Sequence, residues 1–469
     1  MVVAIVVLSG VVAAVRRGVQ HKPDWGDLQT ESRYVWAHGH TAPGTAMFGY
    51  LPTATFALWP FTTWLPEPVG LVLYVLSNLA ALAASVWIVY RYWWRAPDTG
   101  GFIWPVLLVC ANFQHALQSN QLTLWTLVLC VGGLTLVNQR RELAGGVVLG
   151  LAALVKTVPG VLVVYLLLCR RWRALVGVII AAIVIDVVPS VAFFGWQGAV
   201  AEHQAWMRRA GWHSNRVMIE QPLLRVHRHG TNASLAAVLT RWLRAIPDTK
   251  RQVILYGDPP ADVVERYRAA LAPDEALTLD PMPPREGVWA EKRVDIDWVP
   301  RFHIADWPPG VVWWLWFTPL ALGFAALAWF TWRTRGDEAA GWTPCAALWL
   351  LAMFWPSPMT RHYYLAWAFP ALVVVWQWWW AMPTLRERPS LPGRGQGDGE
   401  GQWWVVPTLR AGGSLAVGVF IAWLVGVACL GATIPRWYGV HLAALALLTA
   451  ATATAWRASH EPEKLRAES

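Results

Sequence analysis

One lysine interrupts a long apolar run. Lys156 follows Ala144-Gly-Gly146 and a stretch of Val, Leu and Ala, and Pro159 comes soon after it. A lysine in such a run is expensive, so it is usually paired or functional unless its stem lets the ammonium reach water. Asp186 is a second ionisable group inside an apolar span, open to a structural, hydrogen-bonded role or a functional one. Other polar residues cluster in short groups: Asp24 and Asp27, Asn120-Gln121, Glu220-Gln221, Asn232 with Ser234, and Arg361-His362. Carboxylates take protons, cations hold anions, and amides and imidazoles bond hydroxyls. Each group also has a plainer reading. Asp24 and Asp27 fit a solvated loop, Asn120-Gln121 a helix cap, and His362 an interfacial anchor. No carboxylate or histidine cluster has metal-ligand spacing, and none of the five cysteines has a CxxC partner.

The elements that must position these groups are membrane helices. Of 469 residues, 56% are hydrophobic and only 14% charged, against roughly 25% charged in a soluble domain. Thirty-five tryptophans exceed what a core needs and suit the water–membrane boundary, where an amphipathic ring is at home. The net charge of +9 is read as Arg and Lys gathered in cytoplasmic loops. No basic helix interleaved with aromatics lies outside the apolar spans, so nucleic acid is not an expected partner. The opening stretch Val2 to Val15 lacks a basic n-region and is expected to be a short membrane helix rather than a cleaved signal.

A hydrocarbon core about 30 Å thick needs roughly 20 apolar residues per helix. Spans are expected at 2–16, 68–92, 101–113, 121–137, 174–196, 309–332, 341–355, 362–382, 411–433 and 438–456. The stretch 143–168 is expected to differ. Arg140 and Arg141 precede it, while Arg170, Arg171 and Arg173 follow it, so both ends read as cytoplasmic. Two half-helices turning back near Lys156 satisfy this pattern, provided the broken backbone lines a protein cavity. With the N-terminus inside, the basic loops 92–100, 138–142, 169–173, 333–340 and 383–410 fall inside. Arg16 and Arg17 then lie outside, the one exception, which either a bound anionic lipid or a different end to the first span would explain. Loops 17–67 and 197–308 fall outside. The second is the one large polar region, with a helix expected near Ala261 to Ala272. In this topology Asp24, Asp27, Asn120, Gln121, Lys156, Glu220, Asn232, Arg361 and His362 all reach the outer face. No internal repeat is apparent.

The order of short motifs resembles the GT-C glycosyltransferases, and within them glycosyltransferase family 87. The segments are Asp24-Trp-Gly-Asp27, Tyr34-Val-Trp-Ala-His-Gly39, Phe48-Gly-Tyr-Leu-Pro52, Trp59-Pro60, Ser119-Asn-Gln121, Ala144-Gly-Gly146, Lys156-Thr-Val-Pro159, Arg171-Trp-Arg-Ala174, Thr231-Asn-Ala-Ser-Leu235 with Arg241, and Ser357-Pro358 with His362. They cover roughly residues 20–380. The family often has Gly-Gln where Asn120-Gln121 stands here, and Asn-Gln-Ser where Asn232-Ala-Ser234 stands.

The resemblance implies an all-α polytopic membrane protein: a GT-C-type helix bundle with re-entrant half-helices, interfacial helices and a small external insertion. Residues 1–382 would form the catalytic module, 383–410 a flexible cytoplasmic linker, 411–457 a transmembrane hairpin and 458–469 a cytoplasmic tail. It implies a multi-pass protein of the cell membrane and cell envelope, with its site on the extracytoplasmic side. The implied activity is sugar transfer, most narrowly of mannose, from a polyprenyl-phosphate donor to a lipid or glycan acceptor with inversion. The carboxylate of the first outer loop, Asp24 or Asp27, would be the base, with the spacing to Val35-Trp36 favouring Asp24 and the shorter gap to Gly39 favouring Asp27. Lys156, Arg361 and His362 would hold the departing phosphate, while Asn120, Gln121 and Asn232 would bind substrate. No cofactor and no metal is implied. A secondary transporter is the competing expectation, with the broken hairpin and Asp186 as a midplane ion site.

Overall fold

The computed structural model describes residues 2–20, 25–40, 51–95, 100–209, 211–220, 234–245, 251–257, 259–280, 289–295, 304–335, 342–357 and 362–386. The expected linker, from 387 on, and the C-terminal hairpin lie outside the described residues.

Among the described residues, five helical stretches are long and apolar enough to cross a membrane: Val2–Val19, Glu67–Trp93, Gly100–Gln118, Trp172–Gln204 and Pro309–Thr334. The first helix, α1 (Val2–Val19), runs past the expected limit of 16 and carries Arg16 and Arg17 in its last turn. Two shorter helices follow, α2 (Trp25–His38) and α3 (Pro52–Trp59), before the spanning α4 (Glu67–Ile88). Next come α5 (Ile103–Gln118) and α6 (Thr123–Asn138).

The stretch around Lys156 does turn back. Helix α7 (Glu142–Val155) stops at Lys156, whose backbone is extended at φ −151°, ψ 123°. A 3-10 turn, Val158–Gly160, leads into α8 (Val161–Leu168), and α9 (Trp172–Ala181) follows. Helices α7 and α9 run side by side in the same direction. Gly146 meets Ala174 near their starts, and Gly150 meets Val178 and Ala181 further along. Two parallel neighbours require the chain between them to return. Arg171 Nη1 donates to Glu142 Oε1 at 2.9 Å and closes the hairpin at its base. With fourteen residues in α7, the tip stands about 21 Å from that base at 1.5 Å per residue.

The two turns at the base are built alike. Helix α6 ends with Arg140 at φ 64° and α8 with Arg170 at φ 55°. Arg141 N then reaches Leu136 O, and Arg171 N reaches Leu166 O. This is the hydrogen-bond pattern of a left-handed helix stop. Glycines permit the close packing above them. A Cβ on Gly146 would lie 1.9 Å from the Ala174 carbonyl oxygen, and one on Gly177 2.3 Å from that of Leu143. In lipid no hydrophobic force joins helices, so such close backbone approach is what binds them. The outer side of α9 keeps Val176, Ile179 and Ile180 exposed, as a lipid-facing wall does.

Beyond α9 the helix loosens into a π-turn, Ala182–Val187, and continues as α10 (Val188–Arg209). Gly195 breaks α10 with φ 70°. His203 Nε2 nevertheless lies 2.8 Å from Asp186 Oδ2. Seventeen residues of straight helix would separate the two by about 25 Å, so the chain folds back on itself at Gly195. Helices α11 (Gly211–Glu220) and α12 (Leu235–Leu243) then pack Met218, Ile219, Ala236 and Ala237 against Val312, Trp316 and Leu320 of a long span, α14 (Pro309–Thr334).

Between α12 and α14 lies a small α/β unit that the helical expectation lacked. Its elements are β1 (Arg251–Gly257), α13 (Ala261–Ala270), β2 (Glu275–Asp280) and β3 (Trp289–Asp295). The order is β2-β1-β3, with β1 parallel to β2 and antiparallel to β3. The run Val253-Ile-Leu-Tyr256 favours a strand through its β-branched and aromatic residues. The expected helix is present as α13.

Helix α15 (Trp342–Ala352) is short and buried from Cys345 to Ala352. It sits inside protein, where no full crossing length is needed. A 3-10 helix, His362–Ala368, leads into α16 (Phe369–Arg386). That helix runs to Arg386, so the chain is still helical where the linker was expected to begin at 383.

Candidate active site

The turn between α5 and α6 brings Asn120 into the left-handed region at φ 51°, which a short amide side chain tolerates. Asn120 Nδ2 donates to the Ala14 carbonyl at 3.1 Å, and Tyr74 Oη donates to the Asn120 carbonyl at 3.0 Å. The side chain therefore ties α1 to α5, while the backbone is held from α4. It does not cap α6, whose N-cap is Leu122 with no side-chain hydrogen bond. Gln121 is buried beside it.

Lys156 is buried, with 5% of its surface exposed. Its ammonium does not snorkel away. Nζ lies 3.4 Å from Thr123 Oγ1, 3.9 Å from the centre of the Tyr364 ring and 5.4 Å from that of Trp367. The two rings stack with centroids 5.1 Å apart, and Trp367 Nε1 donates to the Thr123 carbonyl at 3.0 Å. The hairpin tip, the start of α6 and the 3-10 helix after His362 thus form one aromatic corner around a cation. A desolvated cation–π contact contributes about 2 kcal/mol or more. Placing a lysine at mid-membrane costs about 2.5–3.5 kcal/mol on insertion scales. The terms are comparable, so the corner can hold an ammonium, and an anion beside it would add to the balance.

Helix α2 supplies the acidic segment. Asp27 lies in its first turn, and Asp24 lies outside the described residues. Trp25 is fully buried and packs on Tyr74 with centroids 5.0 Å apart. It belongs to the same apolar cluster as Val155, the neighbour of Lys156. Arg33 Nε donates to the Thr62 carbonyl and Nη2 lies 3.6 Å from Glu67, fixing the far half of α2 to the start of α4. The inner face of α2 also holds Gln29, Glu31 and Ser32, all buried. Sequence reasoning passed over these three. The signal was present in their spacing from Trp25, Leu28 and Val35, which puts Gln29 and Ser32 on the packed stripe.

Asp186 is also buried. Thr53 Oγ1, in the first turn of α3, donates to its Oδ1, and His203 holds its Oδ2. The parallel register of α7 and α9 places Asp186 at about the depth of Lys156.

The remaining groups divide. Ser234 is the N-cap of α12, accepting from Ala237 N at 3.2 Å. Arg241 on the same helix is buried, and the loss of water pushes its pKa down to about 9. Glu220 closes α11 in an exposed pair with Arg216. Asn232 and Arg361 lie outside the described residues, and only the backbone of His362 is described, at the start of its 3-10 helix. Asn120, Gln121 and Lys156 therefore share one end of the bundle, with α2 above them. Among the described residues no group of three or more His, Cys, Asp or Glu is placed to hold a metal ion.

Residues 48–258 match the family model for Glycosyltransferase family 87. No curated protein and no solved structure matches the chain. The matched segment opens just before α3 and ends at β1. It holds Asn120, Gln121, Lys156 and Asp186, while Asp24, Asp27, Arg361 and His362 flank it. The motif order read from the sequence and the matched segment agree, and the chain is a multi-pass membrane glycosyltransferase with a family 87 domain over residues 48–258.

Proposed function

We propose that this enzyme transfers a sugar, mannose in the narrowest reading, from a polyprenyl-phosphate donor to a lipid or glycan acceptor at the extracytoplasmic face. The observation that carries the reading is Lys156: a buried ammonium at the tip of a membrane hairpin, cornered by Tyr364, Trp367 and Thr123. A phosphate on a lipid carrier reaches such a place from within the bilayer, where a water-borne nucleotide sugar does not.

In the reaction the acceptor oxygen attacks the anomeric carbon. Its proton passes to Asp24 or Asp27 as the new carbon–oxygen bond forms. The bond from the anomeric carbon to the phosphate oxygen breaks on the opposite side, giving inversion and releasing polyprenyl phosphate. Negative charge grows on that phosphate, and Lys156, with Arg361 and His362, stabilises it. Asn120, Gln121 and Asn232 bind substrate hydroxyls. The donor carries its own leaving group and these residues meet its charge, so no cofactor and no metal is proposed.

The test is transfer in vesicles containing the purified protein and a radiolabelled polyprenyl-phosphate mannose. Label should appear in acceptor lipid or glycan, with most of it lost in Lys156→Met. Transfer from a nucleotide sugar alone would overturn the donor assignment.

A further inference from the structure

Both oxygens of Asp186 are engaged, by Thr53 on one side and His203 on the other. His203 Nδ1 lies 2.7 Å from the Ala199 carbonyl, and Nε2 lies 2.8 Å from the carboxylate. The Ala199 carbonyl only accepts, so Nδ1 carries a hydrogen, and a second hydrogen lies between Nε2 and the Asp186 carboxyl. A carboxylate satisfied from both sides is poorly placed to serve as the proton acceptor for a substrate.

Two elements meet at this one side chain. Thr53 belongs to α3, which packs against α2 and touches α7 beneath the Lys156 tip. His203 belongs to the arm of α10 beyond Gly195. Trp196, Val200 and Met207 point outward and are exposed, while Ala199 and Glu202 are buried and His203 half-buried against the protein. Lipid suits the outward residues as well as protein would, so no hydrophobic force presses the arm inward. Glu202 and His203 are the polar groups on its inner side.

We infer that Asp186 is a positioning residue for glycosyl transfer: through Thr53 it fixes α3, and through His203 the arm, at the depth of Lys156. The inference rests on the proposed reaction. Displacement of a reacting group by about 1 Å can cost about a hundredfold in rate, which is the scale on which such a residue acts.

Asp186→Asn separates positioning from proton transfer. Its carbonyl accepts from Thr53, and its amide donates to Nε2 of a neutral His203 that keeps the Nδ1 hydrogen for Ala199. Every hydrogen bond survives, but the proton acceptor is gone. The expected kcat of Asp186→Asn is within about threefold of the parent, whereas a base would lose about 10²–10⁴-fold. Asp186→Ala should lose about thirtyfold or more in kcat with the donor KM within twofold, inside the range expected of misplacement. Thr53→Val, which leaves the His203 contact in place, should lose about tenfold by the same effect, and it stands in if Asp186→Ala does not fold. Hydrogen exchange gives a readout independent of activity. Amides of 52–59 and 196–209 should exchange about tenfold faster in Asp186→Ala, with α6 unchanged and Asp186→Asn near the parent. Loss of activity in Asp186→Asn as deep as in Asp186→Ala overturns the inference, as does parent-like behaviour of Asp186→Ala or Thr53→Val. If the parent itself transfers no sugar, the proposed reaction fails, and the exchange rates alone decide whether Asp186 holds the two elements.

Discussion

Glu142 and Arg171 meet at 2.9 Å across 29 positions of sequence, one opening α7 and the other preceding α9. The contact makes 142–171 a closed loop with a single tip, and the residue at the tip is Lys156. A pair of this kind, partly shielded at 28% and 17% side-chain exposure, contributes at most about 1 kcal/mol. The hairpin is held mainly by the glycine-lined contact above the pair.

That contact gives the first prediction. Gly146→Leu puts a side chain where even a Cβ falls 1.9 Å from the Ala174 carbonyl oxygen. Overpacking costs about 1–3 kcal/mol, and more where backbone must move. The monodisperse fraction in detergent should fall sharply for Gly146→Leu. It should stay near the parent for Gly160→Ala, where nothing lies within 4 Å. Equal yields for the two would mean that α7 and α9 are not held in this register.

Lys156→Met keeps most of the stem's packing and removes the charge. A lost charged hydrogen bond costs about 1.5–3 kcal/mol, so donor kcat/KM should drop roughly ten- to hundredfold at unchanged thermal stability. Arg361→Ala should act in the same direction. Titrating the lipid donor against each variant checks this, and a donor dependence unmoved in both would remove the cation assignment.

The base is tested with amides. Asp24→Asn and Asp27→Asn keep size and lose the proton acceptor. One of them, with Asp24 favoured, should lower turnover by about 10²–10⁴-fold while donor binding stays intact, and the other should do little. Near-parent rates in both single variants and in the double variant would move the search to Glu31, buried on the same helix.

Sidedness is checked by labelling. Cysteines placed at Glu265, in the exposed helix of the α/β unit, and at Gly397 should react with an impermeant reagent from opposite sides of a sealed vesicle. Reaction of both from one side would reverse the extracytoplasmic assignment.

The helical frame was readable because its signals are local. Lys156 and Pro159 mark the break, and the arginines at 140, 141, 170, 171 and 173 mark both ends on one face. Asn120-Gln121 also reached the expected end of its span. What stayed hidden depends on partners distant in sequence. Nothing near Asp186 announces Thr53 or His203, and Gly195 is one of 37 glycines until its φ of 70° shows that the chain folds back there. The capping role considered for Asn120 failed for a similar reason, since its partner Ala14 is 106 positions away. The sheet was missed because one short strand-forming run, Val253 to Tyr256, stands among far longer apolar helices.

The interlocked backbones of α6, α7 and α9 have a mechanical consequence. Gly133, Gly145, Gly146 and Gly177 leave no room for these helices to slide or rotate past one another. The ammonium they carry is a fixed anvil, and among the described residues this seam is where motion that admits or releases substrate has least room. Elements outside the seam can change to suit a different acceptor while the anvil keeps its place. Attempts to redirect the enzyme toward new acceptors therefore belong in α2, away from Thr53, Asp186 and His203, and libraries that diversify the glycine seam will mostly return protein that does not assemble.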